Sequence, residues 1–98
     1  MIQEVLPVGE DSAISAETIC TMLGIDKRHL RRESQKERLK GAPICASCDG
    51  DAGGYYLAAN WNEMDHYYRR VARRADVIAE VSDALKHTRD TLFTEGDD

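Results

Sequence analysis

The N-terminal apolar positions have helical spacing and predict a short first helix. They are Ile2, Val5 and Leu6. Because proline disfavours helical backbone at the residue before it, Pro7 ends this helix at Leu6. Residues 8–13 contain glycine, serine and acidic residues, so they indicate a loop.

A second helix is predicted between Ser15 and Gly24. The Ser15 hydroxyl can accept a hydrogen bond from an unpaired backbone N–H group, and Glu17 in the first turn suits the positive end of the helix dipole. Glycine is the residue type that most often ends a helix, which favours an end at Gly24. The apolar side of this helix carries Ile19, Cys20 and Leu23, which we expect in the core.

A third helix follows after a connection of residues 24–26 only. A connection this short that contains glycine is typical of a helix-turn-helix. Asp26 can cap the new helix and Gly41 can end it in the left-handed conformation, so the helix runs from about Lys27 to Lys40. Leu30 marks the side of this helix that faces inward.

Beyond the third helix, apolar positions alternate with a period of two and predict a β-hairpin. Ile44 and Ala46 lie on the first strand, and Tyr55 and Leu57 lie on the second. The intervening sequence CDGDAGG is rich in turn residues. We expect the four apolar residues to face the helices.

Residues 60–93 have the pattern of one long helix, which Asn60 and Glu63 can cap at its N-terminus. Its apolar residues recur at heptad positions, and they are Met64, Tyr67, Val71, Ile78, Val81, Leu85 and Leu92. A helix of this length would extend roughly 45 Å, more than so small a domain can cover, so we expect these residues to form a homodimer interface. Two alternatives stay open: a helix folded back over the core of a monomer, and a kink or break near Ser82. Residues 94–98 form an acidic tail.

Composition places the chain among small proteins without a large catalytic cleft. It has 98 residues and a formal net charge of −5, so it forms one small domain with a modest core. No nucleophile with a neighbouring base and no glycine-rich phosphate loop is present, and we expect no enzyme activity and no cofactor. An odd number of cysteines, no secretory leader and no long apolar run indicate a cytoplasmic protein without a membrane span.

Positive charge is concentrated on the third helix although the chain is acidic overall. Residues 24–41 carry seven of the thirteen lysine and arginine residues. A helical projection places Arg28, Arg32 and Gln35 opposite Leu30. Arg31 lies on one flank of this strip, and His29 and Lys36 lie on the other. Such a strip can neutralise phosphates and reach base edges in a major groove. The candidate DNA-binding residues are Lys27, Arg28, His29, Arg31, Arg32, Gln35 and Lys36. Among them, Arg28, Arg32 and Gln35 are the candidate base readers, and Lys27, Arg31 and Lys36 the candidate phosphate contacts. The alternative is a solvated helix whose charges only maintain solubility.

The segments ISAETICTMLGIDKRHLRR, KERLKGAPICAS and GGYYLA resemble the winged helix DNA-binding domains of bacterial repressors and small prophage-encoded proteins. This resemblance covers residues 14–58. It implies a mainly helical α+β fold, in which a three-helix core with a helix-turn-helix carries a hairpin wing. On this basis residues 1–59 form the winged helix domain, and residues 60–93 form the long C-terminal helix.

Two departures from the winged helix pattern concern the inner helix face and the wing. Ser34 and Glu37 stand where such domains carry aliphatic residues, and Leu39 falls opposite Leu30, so either the last turn tightens or Leu39 packs outside the three-helix core. The predicted wing tip contains Asp49 and Asp51, whereas minor-groove insertion favours arginine or lysine. We expect the wing to stay clear of DNA.

These features predict a protein that binds double-stranded DNA as a homodimer. The resemblance to prophage proteins implies a transcriptional regulator, or an accessory factor in replication or excision. The alternative is a winged helix that serves as a protein–protein interaction module without DNA binding.

Three further groups of residues could form binding or redox sites, but each also has an ordinary structural interpretation. Cys45 and Cys48 form a CxxC that could contribute to a zinc or redox site, but no second CxxC is present and we expect no metal. The segment from Asp49 to Asn60 resembles a calcium loop weakly, with asparagine where a bidentate glutamate is needed. Arg69, Arg70, Arg73 and Arg74 form a second basic cluster, whose solvated ion pairs with Asp65 and Asp76 are the simpler interpretation; contact with phosphates is the other.

Overall fold

The N-terminal segment contains two 3-10 turns where the sequence predicts one short α-helix. The computed structural model describes residues 1–47, 54–74 and 78–95. The turns are Gln3–Val5 and Glu10–Ser12, and backbone hydrogen bonds from Leu57 to Pro7 and from Gly9 to Leu57 tie the segment to the sheet. The N-terminus therefore joins the fold through the sheet edge and through buried Ile2 rather than through a full helix.

Helices α1 (Ala16–Leu23) and α2 (Lys27–Leu39) are joined by the short connection of residues 24–26 that the sequence predicts. The Ser15 hydroxyl accepts a hydrogen bond from the backbone N–H of Thr18, and the Asp26 carboxylate accepts one from His29 at 2.7 Å. Gly24 ends α1 with a φ of 68°, a left-handed conformation that glycine adopts at little cost. The predicted caps on both sides of the turn are confirmed.

The hairpin is confirmed, and it is part of a three-stranded antiparallel sheet. Its strands are β2 (Ile44–Ala46) and β3 (Gly54–Leu57), and β1 (Ile14–Ser15) pairs with the other edge of β3 to give the order β1-β3-β2. At the β1 contact, a side chain on Gly54 would lie 2.7 Å from the Ile14 carbonyl oxygen, so only glycine fits there. The sequence did not predict β1.

The sheet separates two apolar cores. One face, with Ile44, Tyr55 and Leu57, packs with the N-terminal segment, α1 and α2, as predicted. Cys45 and Tyr56 on the other face pack against the C-terminal helices. Ala46 was expected on the first face, but it packs against the second core.

The single helix predicted for residues 60–93 is instead two helices that pack against each other, α3 (Trp61–Ala72) and α4 (Ala79–Leu92). Asn60 caps α3 as predicted, accepting a hydrogen bond from the backbone N–H of Glu63. The chain leaves helical conformation after Arg73, and Ile78 has extended backbone, so the break precedes the position considered near Ser82. The protein extends 36 Å at most, which leaves no room for a straight helix of the predicted length.

The apolar residues of α3 and α4 are largely buried within this one chain. Those in the core against the sheet are Met64, Tyr67, Val71, Val81 and Leu85. Most of this stripe is therefore covered within the chain, because the two helices cover each other and the sheet, and the homodimer stays a prediction. The described residues form a mainly helical α+β fold of four helices and one three-stranded sheet, with α4 at the C-terminal end.

Candidate nucleic-acid interface

Helix α2 presents most of its cations on one side, and its packing residues, which include Arg38, on the other. Leu30, Ser34 and Arg38, four residues apart, form the buried side. The exposed side carries the predicted residues Lys27, Arg28, Arg31, Arg32, Gln35 and Lys36, while His29 is half-buried. The helical projection of the cationic strip is thus reproduced by the observed burial.

The charges nearest the N-terminus of α2 have no carboxylate partner in the part of the chain that the structure describes. Over residues 1–47, 54–74 and 78–95, no carboxylate pairs with Lys27, Arg28, Arg31 or Arg32. Further along the helix, Glu33 lies 3.5 Å from the Lys36 ammonium and 3.7 Å from the His29 imidazole. Unneutralised charge is therefore concentrated in the first turns of α2, beside the turn that follows α1.

Ser34 and Glu37, which stand where winged helix domains carry aliphatic residues, differ in their contacts. Ser34 is fully buried, and its hydroxyl has no hydrogen-bond partner among the described residues. The Glu37 carboxylate accepts hydrogen bonds from the backbone N–H groups of Ile2 and Gln3, so it holds the N-terminal segment. Leu39 lies on the surface, with 47% of its area exposed.

Arg38 is the residue of α2 whose position was not anticipated. It is 7% exposed, and its Nε donates a hydrogen bond to the Ile44 carbonyl oxygen. Its guanidinium carbon lies 5.2 Å from the centre of the Tyr67 ring. The four-residue spacing from Leu30 through Ser34 could have indicated that Arg38 faces inward.

The second basic cluster does not act as one surface. Arg69 forms the predicted ion pair with Asp65, at 2.8 Å. Arg70 donates to the Ala46 carbonyl oxygen, and Arg73 is exposed. Arg74 lines a cavity beside α2. The predicted partner Asp76 lies outside the described residues.

The cysteine and calcium-loop predictions fall partly outside the described residues, since these exclude Cys48, Asp49 and Asp51. Cys45 is fully buried, and burial raises the pKa of its thiol to about 12. The Asn60 side chain is engaged in capping α3. Among the described residues, no three histidine, cysteine or acidic side chains are grouped closely enough to hold a metal ion.

Two of the seven predicted dimerisation residues are exposed. Ile78 at the start of α4 is 58% exposed and Leu92 at its end is 52% exposed, whereas the other five are buried in the chain's own core.

No helix in the described ranges is long and apolar enough to cross a membrane.

Comparisons of the chain with protein-family models, with curated proteins and with solved structures give no significant match.

Proposed function

We propose that this chain is a winged helix DNA-binding protein that places α2 in the major groove of duplex DNA. The observation that carries the proposal is the row of exposed cations on the first turns of α2, which lack acidic partners among the described residues. Free cations can release condensed counterions from DNA, whereas cations already paired with carboxylates contribute less.

The geometry of α2 supports this placement. Recognition helices read base edges with their N-terminal residues while the preceding helix crosses the backbone. Arg28 and Arg32 lie one turn apart on the exposed side, followed by Gln35, and these three are the proposed base readers. Lys27, Arg31 and Lys36 are the proposed phosphate contacts, with His29 at the edge of the strip.

The order of elements supports the winged helix interpretation. Strand β1 precedes the helix-turn-helix, and β2 and β3 follow it and close a sheet against β1. In this interpretation the loop between β2 and β3 is the wing, and the acidic residues in its sequence favour a wing that stays clear of DNA.

The cellular role that fits best is a phage-type transcriptional regulator or an accessory factor in replication or excision. This assignment rests on the resemblance of residues 14–58 to prophage-encoded winged helices. The homodimer stays a prediction, and within this chain conformation Ile78 and Leu92 are the members of its proposed interface that are available to a second copy.

The salt dependence of binding to duplex DNA of mixed sequence tests the proposal. On DNA of mixed sequence no base is read specifically, so the two arginines of the base-reading set also lie against phosphates and five cations neutralise phosphates in total. The logarithm of the association constant then falls against the logarithm of salt concentration with a slope of about −4 to −5. Fluorescence anisotropy with a labelled duplex measures this slope.

A double variant, Arg28→Ala/Arg32→Ala, locates the contact. We expect it to weaken binding at least roughly tenfold and to reduce the slope by about 2. Lys86→Glu on α4 is the matched control, because it changes the net charge by the same amount on an exposed residue of another helix. Equal effects of the two variants, or binding that is independent of salt, would overturn the proposal and favour a protein-interaction module.

A further inference from the structure

A cavity of about 150 Å³ lies between α2, the sheet and the two C-terminal helices. Its wall consists of Arg31, Gln35, Arg38, Ala46, Tyr55, Tyr67, Val71, Arg74 and Val81. The wall thus contains three arginines and two tyrosines, and it contains no aspartate or glutamate from the described residues. Such a composition is unusual for a chain with eighteen acidic residues.

Arg38 is the most buried of the three arginines that line this cavity. It is more than nine-tenths buried, and no carboxylate in the described ranges pairs with it. Its Nε donates to the Ile44 carbonyl oxygen, and no hydrogen bond from its two terminal nitrogens to the described residues is found. A buried guanidinium without an anion is costly, because desolvation of the charge is not offset by a partner.

Neighbouring cations increase this cost. The guanidinium groups of Arg38 and Arg70 lie 5.2 and 5.4 Å from the centre of the same Tyr67 ring. The ring attracts both cations, but it carries no net charge and cannot neutralise them. Arg31 and Arg74 add two more positive charges at the cavity wall. No carboxylate of the described residues lines the cavity or forms an ion pair with its three arginines.

Tyr55 does not supply the missing negative charge. Burial raises the pKa of its phenol, and this effect outweighs the opposing influence of Arg38 and Arg31. Tyr55 is therefore a neutral phenol at physiological pH, and its hydroxyl can donate a hydrogen bond to an anion in the cavity.

We infer that this cavity is a binding site for one phosphate group, held by Arg31, Arg38 and Arg74 with Tyr55 as an additional donor. The guanidinium fork matches phosphate oxygens, and several cations around one dianion give the charge balance that the cavity lacks. A cavity of this volume accommodates a group about the size of benzene, so a phosphate fits and a whole nucleotide does not.

Two sources can deliver this phosphate group. Arg31 also belongs to the exposed strip of α2, so a backbone phosphate of bound DNA is one source. A free phosphate ion or phosphomonoester that binds as an effector is the other. The inference itself does not depend on DNA binding, since the arginines of the cavity wall are brought together in the free protein.

Titration with inorganic phosphate in the absence of DNA tests the site. Chloride at matched ionic strength is the reference, and NMR of the arginine Nε–H groups is the readout. We expect a saturable shift of the Arg38 resonance. Arg31→Gln should weaken phosphate binding roughly tenfold or more, because it removes a charge-assisted hydrogen bond without removing a buried group. Arg31 is the informative position, since Arg38 also holds Ile44 and its replacement would disturb the fold.

Lys40→Gln is the matched control, because it removes one charge at the end of α2 outside the cavity wall. It should bind phosphate as the unchanged protein does. No saturable shift of Arg38, or equal phosphate affinity in the Arg31→Gln variant and the unchanged protein, would overturn the inference even if the protein binds DNA.

Duplex DNA then distinguishes the two sources. If DNA shifts the Arg38 resonance as phosphate does, and free phosphate competes with that shift, the site takes a backbone phosphate. If DNA leaves the resonance unchanged and free phosphate still binds to the complex, the site takes a free phosphate or phosphomonoester. Either result supports the site, and each assigns a different source.

Discussion

The Oε2 atom of Glu37 lies 2.7 Å from the backbone nitrogen of Ile2, so the last turn of α2 holds the N-terminal segment in place. The other carboxylate oxygen accepts a hydrogen bond from Gln3. Ile2 itself is fully buried beside Ile19 and Leu30. The hydrogen bonds to Glu37 thereby help to keep the Ile2 side chain in the core, although the N-terminal segment forms only a 3-10 turn.

Replacing Glu37 by glutamine should destabilise the protein by about 1–2 kcal/mol at neutral pH, because one charged acceptor of two backbone N–H groups is lost. Burial raises the pKa of Glu37, but the hydrogen bonds from Ile2 and Gln3 outweigh burial and hold the pKa below its ordinary value of 4.5. The stabilisation is therefore complete above pH 4.5 and is lost as the pH falls through the lower pKa of the folded state. Urea unfolding at several pH values measures the difference.

Glu4→Gln is the control for this prediction, because Glu4 lies on the same segment with 82% of its side chain exposed. Its substitution should change stability little. The free energies of unfolding of Glu37→Gln and of the unchanged protein should converge in acid. If they differ as much in acid as at neutral pH, the charge on Glu37 is not the source of the stabilisation.

Arg89 links α3 to α4 through both its charge and its flat face. Its guanidinium carbon lies 4.8 Å from the centre of the Trp61 ring and 5.1 Å from the centre of the Tyr68 ring. It also pairs with Asp65 on α3, and Arg89 is 8% exposed. We expect Arg89→Ala to cost about 2–4 kcal/mol and Arg89→Lys about 1–2 kcal/mol, since lysine cannot reproduce a stacked, forked contact.

Unfolding followed by the fluorescence of Trp61, the one tryptophan of the chain, measures these changes. Arg69→Ala is the matched control, because Arg69 pairs with the same Asp65 but its side chain is 59% exposed. It should cost at most about 0.5 kcal/mol. Similar losses for Arg69→Ala and Arg89→Ala would contradict the assigned role of stacking and burial.

Cys45 should resist alkylation in the folded protein, and Cys20 should react faster. Burial raises the pKa of Cys45 from 9.0 to about 12, which lowers its thiolate fraction near pH 8 by roughly a thousandfold. Cys20 is only half-buried. Iodoacetamide labelling with peptide mass spectrometry, with and without urea, compares the two sites. Rapid labelling of Cys45 without urea would indicate an accessible, reactive thiol and revive the redox interpretation of the CxxC.

Local signals predicted the starts of α1, α2 and α3, but not that of α4. Ser15, Asp26 and Asn60 cap helices as expected, because a cap depends on a side chain and a backbone N–H group only a few residues away. The orientation of the cationic strip was predictable for the same reason, since helical geometry alone relates Arg28 and Arg32 to Leu30.

Contacts between distant segments explain what the sequence could not predict. A heptad pattern fits one long helix that packs against a partner chain, and it fits equally well two helices of one chain that pack against each other. The spacing of Val71 and Val81 therefore did not show that they lie on two different helices. The cavity beside α2 was missed because Arg38, Tyr55 and Tyr67 come from three elements. Their proximity depends on the packing of the sheet between two cores.

The exposed and buried members of the heptad pattern should respond differently to truncation. Leu85 is fully buried, so Leu85→Ala should cost about 2–5 kcal/mol at every protein concentration. Leu92 is 52% exposed, so Leu92→Ala should cost less than about 1 kcal/mol in a monomer.

If a homodimer forms through this end of α4, the cost of Leu92→Ala grows with protein concentration, because dissociation then contributes to unfolding. Urea unfolding at two concentrations, with light scattering on the same samples, measures both effects. A concentration-independent midpoint for the unchanged protein, together with a monomer mass, would rule out the predicted homodimer.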